Sequence, residues 1–248
     1  MSSATGQARE LDLRELKRVC SNCSLKELCV PMGLNRGEVE RLDKVVEASR
    51  SLHNGDHLFR KGDPMRSIYA VRSGTFKSYV INRDGEEQVI GFHLPGELVG
   101  LDAIHPDHHQ CSVMALDTAS ACIMPFSQLS ELAASIPGLQ RQIMRLLSKE
   151  ISSMVPRAAD TTAEERMSGF LLDLSRRLGE RGYSTSDLRL SMPRKDVANY
   201  LRLATETVSR VLRRFQDEGW IEVDRRDIRI VDSTALKSMV KGDDGEAQ

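Results

Sequence analysis

The apolar residues of this chain change their period once, near Phe126, and no other feature limits the possible fold as strongly. Upstream, over residues 56–125, they come in short runs: His57-Leu58-Phe59, Ile68-Tyr69-Ala70-Val71, Thr75 to Ile81, Gln88 to Leu94, Cys111 to Leu116 and Ala121 to Met124. Asn54-Gly55, Lys61-Gly62-Asp63-Pro64, Ser73-Gly74, Asp84-Gly85 and Pro95-Gly96 punctuate them. β-rich runs broken by glycine turns about every 10 residues predict an antiparallel sandwich or barrel. Downstream, Leu139, Ile143, Leu146, Leu147, Ile151 and Met154 recur at helical steps and draw one apolar stripe. Pro137 suits the first turn of that helix, where its missing N–H would be unsatisfied anyway. Pro156 is expected to end or kink it, and the polar residues 157–162 read as a hinge. The stripe has two uses of equal standing: packing against its own β domain, or a two-helix seam between subunits.

Three further helical patterns follow, over 163–181, 193–201 and 205–218, then Ile221-Glu222-Val223, a polar turn at 224–227 and Ile228-Arg229-Ile230-Val231. Two short helices separated by a tight turn and followed by a β-hairpin predict a winged helix-turn-helix. Charge agrees with this. Residues 175–214 hold ten basic side chains (Arg176, Arg177, Arg181, Arg189, Arg194, Lys195, Arg202, Arg210, Arg213 and Arg214) against Glu180, Asp187, Asp196 and Glu206. The whole 248-residue chain, by contrast, has 35 basic and 36 acidic residues, which excludes a polycationic tail protein. A local basic excess in a neutral chain is what phosphate neutralisation requires.

In the second short helix Thr205 is placed to cap the N-terminus with its hydroxyl. Val208, Val211, Leu212 and Phe215 fall on the inward face, which turns Glu206, Ser209, Arg210 and Arg213 outward. The N-terminal outward residues of a helix lying in the major groove reach base edges. There an arginine gives two hydrogen bonds to guanine, a carboxylate accepts from a base amino group, and a serine serves several bases. Arg213 and Arg214, a turn further on, suit phosphates.

The five cysteines are Cys20, Cys23, Cys29, Cys111 and Cys122, an odd number in a chain without an export signal, which argues against a disulfide scaffold. The first three form Cys20-x2-Cys23-x5-Cys29 among Ser21, Asn22, Ser24 and Lys26, polar company that suits metal ligation better than a core. Thiolates so spaced can turn onto one metal centre, and Cys111 or Cys122 could supply a fourth; spacing alone does not choose between zinc and an iron–sulfur cluster. His105, His108 and His109 beside Cys111 are an alternative metal site.

With 40% apolar and 29% charged residues the composition is that of a soluble globular protein. No apolar run approaches the ~20 residues of a bilayer-spanning helix. Residues 1–18 carry few apolar anchors and no secretory core. The expectation is a mobile N-terminal segment, no membrane partner and a cytoplasmic location. No Gly-rich phosphate loop, Gly-x-Ser-x-Gly elbow or His-Glu-x-x-His pair marks an enzyme.

Glu206-Thr207-Val208-Ser209-Arg210, the Cys20-x2-Cys23-x5-Cys29 spacing, and the phrases Tyr69-Ala70-Val71-Arg72-Ser73-Gly74 and Gly91-Phe92-His93-Leu94-Pro95-Gly96-Glu97-Leu98-Val99-Gly100 together resemble the FNR family, with the similar ANR proteins. This is the oxygen-responsive branch of the cyclic-AMP receptor protein (CRP) superfamily of transcription regulators, and the likeness spans residues 20–231. The resemblance implies an α+β chain in four parts: a cluster-binding segment (1–30), an antiparallel β-roll sensor domain like those that bind cyclic nucleotides (31–135), a long dimerisation helix and hinge (136–160), and a winged helix-turn-helix (161–248). It implies a [4Fe–4S] cluster held by Cys20, Cys23, Cys29 and Cys122, leaving Cys111 as a spare thiol. It implies a homodimer that binds palindromic double-stranded DNA with TTGAT-like half-sites, Glu206, Ser209 and Arg210 reading bases and Arg213 and Arg214 supporting them. Oxygen would convert the cluster to a [2Fe–2S] form, and dimer and DNA binding would be lost. Genes of anaerobic metabolism would be controlled through an RNA polymerase contact near residues 81–86. Cluster assembly is expected to order the 20–29 loop against the β domain through Cys122 and so bias how the long helix pairs.

A cyclic nucleotide is not expected. Relatives that bind one follow a Gly-Glu phrase with an Arg-Ser or Arg-Thr pair, whereas here Gly96-Glu97-Leu98 is followed by Gln110-Cys111, with no arginine between Gly91 and Pro125. Two positions depart from the family pattern. The dimer helix is shorter by roughly one turn before Ala163-Glu164-Glu165-Arg166 and carries Pro156. Arg202 stands where the tight turn usually has glycine, a left-handed position that costs about 1 kcal/mol.

Overall fold

A computed structural model describes residues 20–48, 51–154 and 162–240. Expectations for residues 1–18, for a kink at Pro156 and for a hinge over 157–161 lie outside them. All six β-rich runs form strands: β2 (His57–Phe59), β3 (Ser67–Ser73), β4 (Phe76–Ile81), β5 (Glu87–His93), β7 (Ser112–Ala115) and β8 (Ser120–Pro125). Two short additions, β1 (Glu47–Ala48) and β6 (Leu98–Val99), are the outer strands of the first of two four-stranded antiparallel sheets, ordered β1-β8-β3-β6 and β2-β7-β4-β5. Their facing sides bury Phe59, Val71, Phe76, Val99, Val113 and Ala115, the alternating inward residues that give a β-roll its interior. Glycine is required at Gly74: its φ is +74°, and a Cβ there would stand 2.6 Å from the Thr118 carbonyl oxygen.

Two helices then close one side of the roll. α2 (Phe126–Ser135) buries Leu129 and Ala133, and α3 (Pro137–Met154) starts at the proline that suits its first turn. The apolar stripe of α3 is used in part for packing against its own β domain. Leu139, Ile143 and Leu146 pack into a cluster with Val30, Leu42, Ile68 and Met124 of the same chain. Met144 and Ile151, seven residues apart, stay 58% and 65% exposed, a spacing that puts them on one unpartnered edge. α1 (Arg36–Leu42), with a complete capping box from Asn35 and Glu38, lies between the cysteine loop and the roll.

The C-terminal region begins with a second capping box, Thr162 with Glu165, opening α4 (Ala163–Gly179). α5 (Arg194–Tyr200) and α6 (Thr205–Asp217) form the helix-turn-helix, and β10 (Ile221–Asp224) and β11 (Asp227–Ile230) the wing. A third wing strand, β9 (Asp187–Arg189), pairs with β11, and α7 (Ser233–Met239) packs on α4. The turn between α5 and α6 holds Arg202 at φ 55°, the left-handed backbone expected there. Among the described residues no helix is long and apolar enough to cross a membrane.

Candidate cluster site and nucleic-acid interface

The cysteine loop is built from single turns. A 3-10 turn over Cys20–Asn22 is followed by successive backbone bonds from Cys23 N–H to Cys20 O, Leu28 N–H to Leu25 O and Met32 N–H to Cys29 O. Three anchors hold it down. The Cys20 N–H donates to the Asp43 carboxylate at the end of α1 over 2.5 Å. Val30 and Pro31 are buried. From α3, the Gln142 side-chain N–H donates to the Cys29 carbonyl over 3.3 Å. Gln142 is 3% exposed, and its other amide atom, Oε1, has no partner.

Cys122 comes from β8, in register with Ala48 of β1 and Ala70 of β3. It lines one cavity together with Cys20, Cys23 and Cys29, walled otherwise mostly by apolar residues such as Val30, Leu42, Val46, Ala70 and Met124. Burial, reinforced by Asp43 and the neighbouring thiols, drives the Cys20 thiol far up, and burial pushes Cys29 up to about 12. Free of metal, these two sulfurs are neutral thiols. Among the described residues no three His, Cys, Asp or Glu side chains converge on a point that would hold a single metal ion. Four cysteines are among the residues lining the cavity, with no histidine or carboxylate, a donor set of the kind a multi-iron core takes with one thiolate per iron.

Cys111 stands apart. It is buried in the roll, its thiol donates to Asp102 over 3.5 Å, and burial with that carboxylate pushes it up to about 12. The alternative histidine site is not assembled. His109 is 1% exposed, stacked on Phe59 at 3.6 Å with Nδ1 facing Asp102, whereas His105 and His108 are exposed on the surface.

In α6, Val208, Val211, Leu212 and Phe215 are all buried, and Glu206, Arg210, Arg213 and Arg214 are exposed, with Ser209 half-buried beside them. One expectation is corrected. The N-cap is Ala204 rather than Thr205, and no side chain caps the helix. The chain enters helical geometry one residue early after the Arg202 turn, so Thr205 is already inside the first turn and its carbonyl accepts from Ser209 Oγ at 3.1 Å. Arg210 reaches Thr207 Oγ1 at 3.1 Å, and Arg214 pairs with Glu164 at 3.1 Å across to α4.

The basic stretch also divides. Arg177 and Arg181 turn away from the α6 face and pair with Glu97 of the sensor domain, each at 2.6 Å. Arg176 is held within α4 by Asp173 and Glu180. In their place the wing contributes cations that the count over 175–214 missed. Arg225, at φ 54°, and Arg226 occupy the turn between β10 and β11 and line one recess with Arg194 of α5. The doublet in a hairpin turn was the available signal.

Comparison with known proteins agrees with this architecture. Residues 49–135 match the family model of the cyclic nucleotide-binding domain, and residues 165–239 that of the Crp-like helix-turn-helix domain. FixK2 from Bradyrhizobium japonicum superposes with a TM-score of 0.71 at 26% identity, covering 82% of this chain and 100% of that one. A β-roll sensor followed by a winged helix-turn-helix of this type defines a DNA-binding transcription regulator of the CRP/FNR superfamily, which is not an enzyme class. The chain is 45% identical over 220 residues to electron transport regulator A of Shewanella oneidensis, covering 88% of each. It is 44% identical over 223 residues to the fumarate and nitrate reduction regulatory protein of Escherichia coli, covering 89% of each. The chain belongs to the FNR family.

Proposed function

We propose that this chain is an oxygen-responsive regulator of anaerobic metabolism genes in which Cys20, Cys23, Cys29 and Cys122 hold a [4Fe–4S] cluster. Loaded chains pair along α3 and bind palindromic TTGAT-like half-sites, and an RNA polymerase contact at residues 81–86 carries the output. The observation that supports this reading is one cavity lined by all four cysteines, among them Cys29, itself bonded through its carbonyl to Gln142 of α3. When bound, the cluster supplies an oxygen-labile thiolate-held iron centre. The chain's own residues do the rest. The thiols would give up their protons on ligation, and ligands from both the 20–29 loop and β8 would tie that loop to the strand. Through Gln142 the loop's position bears on α3, whose exposed Met144 and Ile151 form the seam that a second copy would cover.

Glu206, Ser209 and Arg210 serve as base readers, and Arg213, Arg214, Arg225 and Arg226 as phosphate contacts. The turn over 81–86 is exposed throughout and held rigid by Asn82, whose side-chain oxygen accepts from the N–H groups of Asp84 and Glu86 at 2.9 Å each. A rigid exposed turn suits a protein contact. The domain limits at residues 30, 135 and 160 belong to this same reading.

No cyclic nucleotide is part of the mechanism. The backbone N–H groups of Gln110 and Cys111, in the place where a cyclic phosphate would be held, both donate to Asp102, at 2.6 Å and 3.2 Å. A carboxylate of the chain itself already occupies that position and repels a second anion. Anaerobic purification with iron and sulfide analysis tests the proposal: brown, iron- and sulfide-containing protein that bleaches in air is expected. Colourless protein containing zinc would replace the cluster by a structural metal.

A further inference from the structure

We propose that the turn Pro95–Gly96–Glu97 is a second line between the cysteine loop and the DNA-reading domain, running within one subunit and independent of the dimer helix; this rests on the cluster reading above. The turn is touched from both sides. On one side Gly96, at φ +93°, lies directly beneath the cysteine loop, so that a Cβ on it would stand 3.2 Å from Leu28 Cβ and 4.0 Å from Leu25 Cβ. Leu25 and Leu28 lie between Cys23 and Cys29, so any rearrangement of those two ligands moves the residues resting on Gly96.

On the other side the next residue, Glu97, is gripped by α4 of the reading domain. Arg177 closes on its carboxylate as a fork, Nη2 to Oε2 at 2.6 Å and Nε to Oε1 at 3.0 Å, and Arg181 adds a third bond at 2.6 Å. The same two guanidinium groups also hold backbone carbonyls at and just before the turn, Arg177 that of Phe92 and Arg181 that of Pro95, each at 2.6 Å. The Leu94 N–H closes the turn onto Glu97 Oε2 at 3.0 Å. The Arg181 side chain is 2% exposed and that of Arg177 17%.

Buried charges of this kind tolerate no half-made state, because a guanidinium left without its carboxylate keeps the desolvation cost and loses the compensation. Both guanidinium groups therefore stay closed on the carboxylate, and the turn and α4 are held as one piece through this joint. Around it the reading domain is seated firmly. Asn199 of α5 accepts from the Val89 N–H at 2.6 Å and donates to the Glu87 carbonyl at 2.7 Å, Asp196 pairs with Lys77 at 3.0 Å, and Phe92 packs against Phe170 and Tyr200. A displacement of the turn is thus delivered to α4, α5 and the seat of α6 as one body.

The test uses the full chain, purified anaerobically, as wild type and as Arg177→Gln, Arg181→Gln and their combination. Iron and sulfide content, sedimentation, affinity for a palindromic duplex, and hydrogen exchange over residues 94–98 and 172–181 are read before and after air. The variants are expected to keep wild-type iron and sulfide and to remain dimeric while loaded. They are expected to bind the duplex at least tenfold more weakly, and to lack the air-dependent change in exchange over 172–181 expected of the wild type. Arg177→Lys, which keeps the buried charge without the fork, separates relay from folding: it should remain folded and lie between wild type and Arg177→Gln in affinity. Unchanged duplex affinity in folded, iron-loaded variants overturns the relay alone, as does loss of dimer and duplex binding together. A wild type without iron and sulfide overturns the cluster reading and the relay with it.

Discussion

The cysteine loop and the reading helix are opposite solutions to holding functional side chains in place. α6 is thirteen residues long with four inward side chains sunk into a core that α4, α5 and the wing build together with Val89, Phe92 and Leu94 of the roll, Phe215 at 0% exposure, so Glu206 and Arg210 are displayed on a firm scaffold. The cysteine loop has turns of three residues, a bond to Asp43, a bond from Gln142 and little buried surface beyond Val30 and Pro31. Its sulfurs are distributed between that loop and β8, so no single element positions all four. A reader must be rigid in order to discriminate, whereas a loop with so little core of its own can be ordered by what it binds.

Four measurements can break or sharpen that contrast. Cys23→Ser has the largest expected effect on function. Iron and sulfide should disappear from anaerobic protein and duplex affinity should fall by about 100-fold, a population shift of near 3 kcal/mol, while the melting temperature of the reading domain stays put. A variant that keeps its cluster absorbance removes Cys23 from the ligand set. Phe215→Ala comes next. Emptying that fully buried position should cost the reading domain about 3–5 kcal/mol, seen as a lowered urea midpoint, and leave iron content unchanged. Loss of iron would show that the two regions fold as one.

Acid should separate them next. Burial pulls His93 down from 6.5 to about 4, and its ring meets Ser78 at 2.9 Å next to the Glu97 turn. Above pH 6.5 neither folded nor unfolded chain protonates it; between 6.5 and about 4 only the unfolded chain does. Stability therefore falls as the pH drops through that window, by about 1.4 kcal/mol per pH unit and near 3 kcal/mol in all. Glu97, whose arginine partners hold it below its usual value of 4.5, adds a loss in the same direction at lower pH. His93→Gln should flatten the dependence of the urea midpoint between pH 6.5 and 5; an unaltered slope assigns the acid sensitivity elsewhere. The smallest effects separate the arginines of α6. Arg210→Ala should lose about 1–3 kcal/mol of discrimination at one base pair. Arg214→Ala should weaken all duplexes alike and reduce the salt slope by about 1, both read from duplex titrations at several salt concentrations.

The sequence made the two regions legible to different degrees, for physical reasons. Short β-rich runs bounded by glycine turns identify strands, which is why β2, β3, β4, β5, β7 and β8 were readable. β1 and β6 are two residues each and carry no period. β9 escaped because Asp187 and Arg189 are exposed and only Leu188 is buried, too little pattern to see. The inward face of α6 was readable in full from four apolar side chains. Its cap was not, because whether Thr205 or Ala204 precedes the first turn depends on the left-handed Arg202 before it. The cysteine set was suggested by the triplet, while Cys122 came from family likeness, and only strand β8 explains how it joins them. What no local reading could reach is where a charge points. Arg177 and Arg181 counted toward a DNA-facing patch, yet both close on Glu97, 80 or more residues away.

The most direct test of the cluster's authority over the pair is a single anaerobic preparation titrated with air, with sedimentation and affinity for a TTGAT palindrome followed in the same sample. The account predicts that dimer and duplex binding vanish in step with the cluster's absorbance. Duplex binding by a dimer that persists at full strength after the absorbance has gone would contradict it.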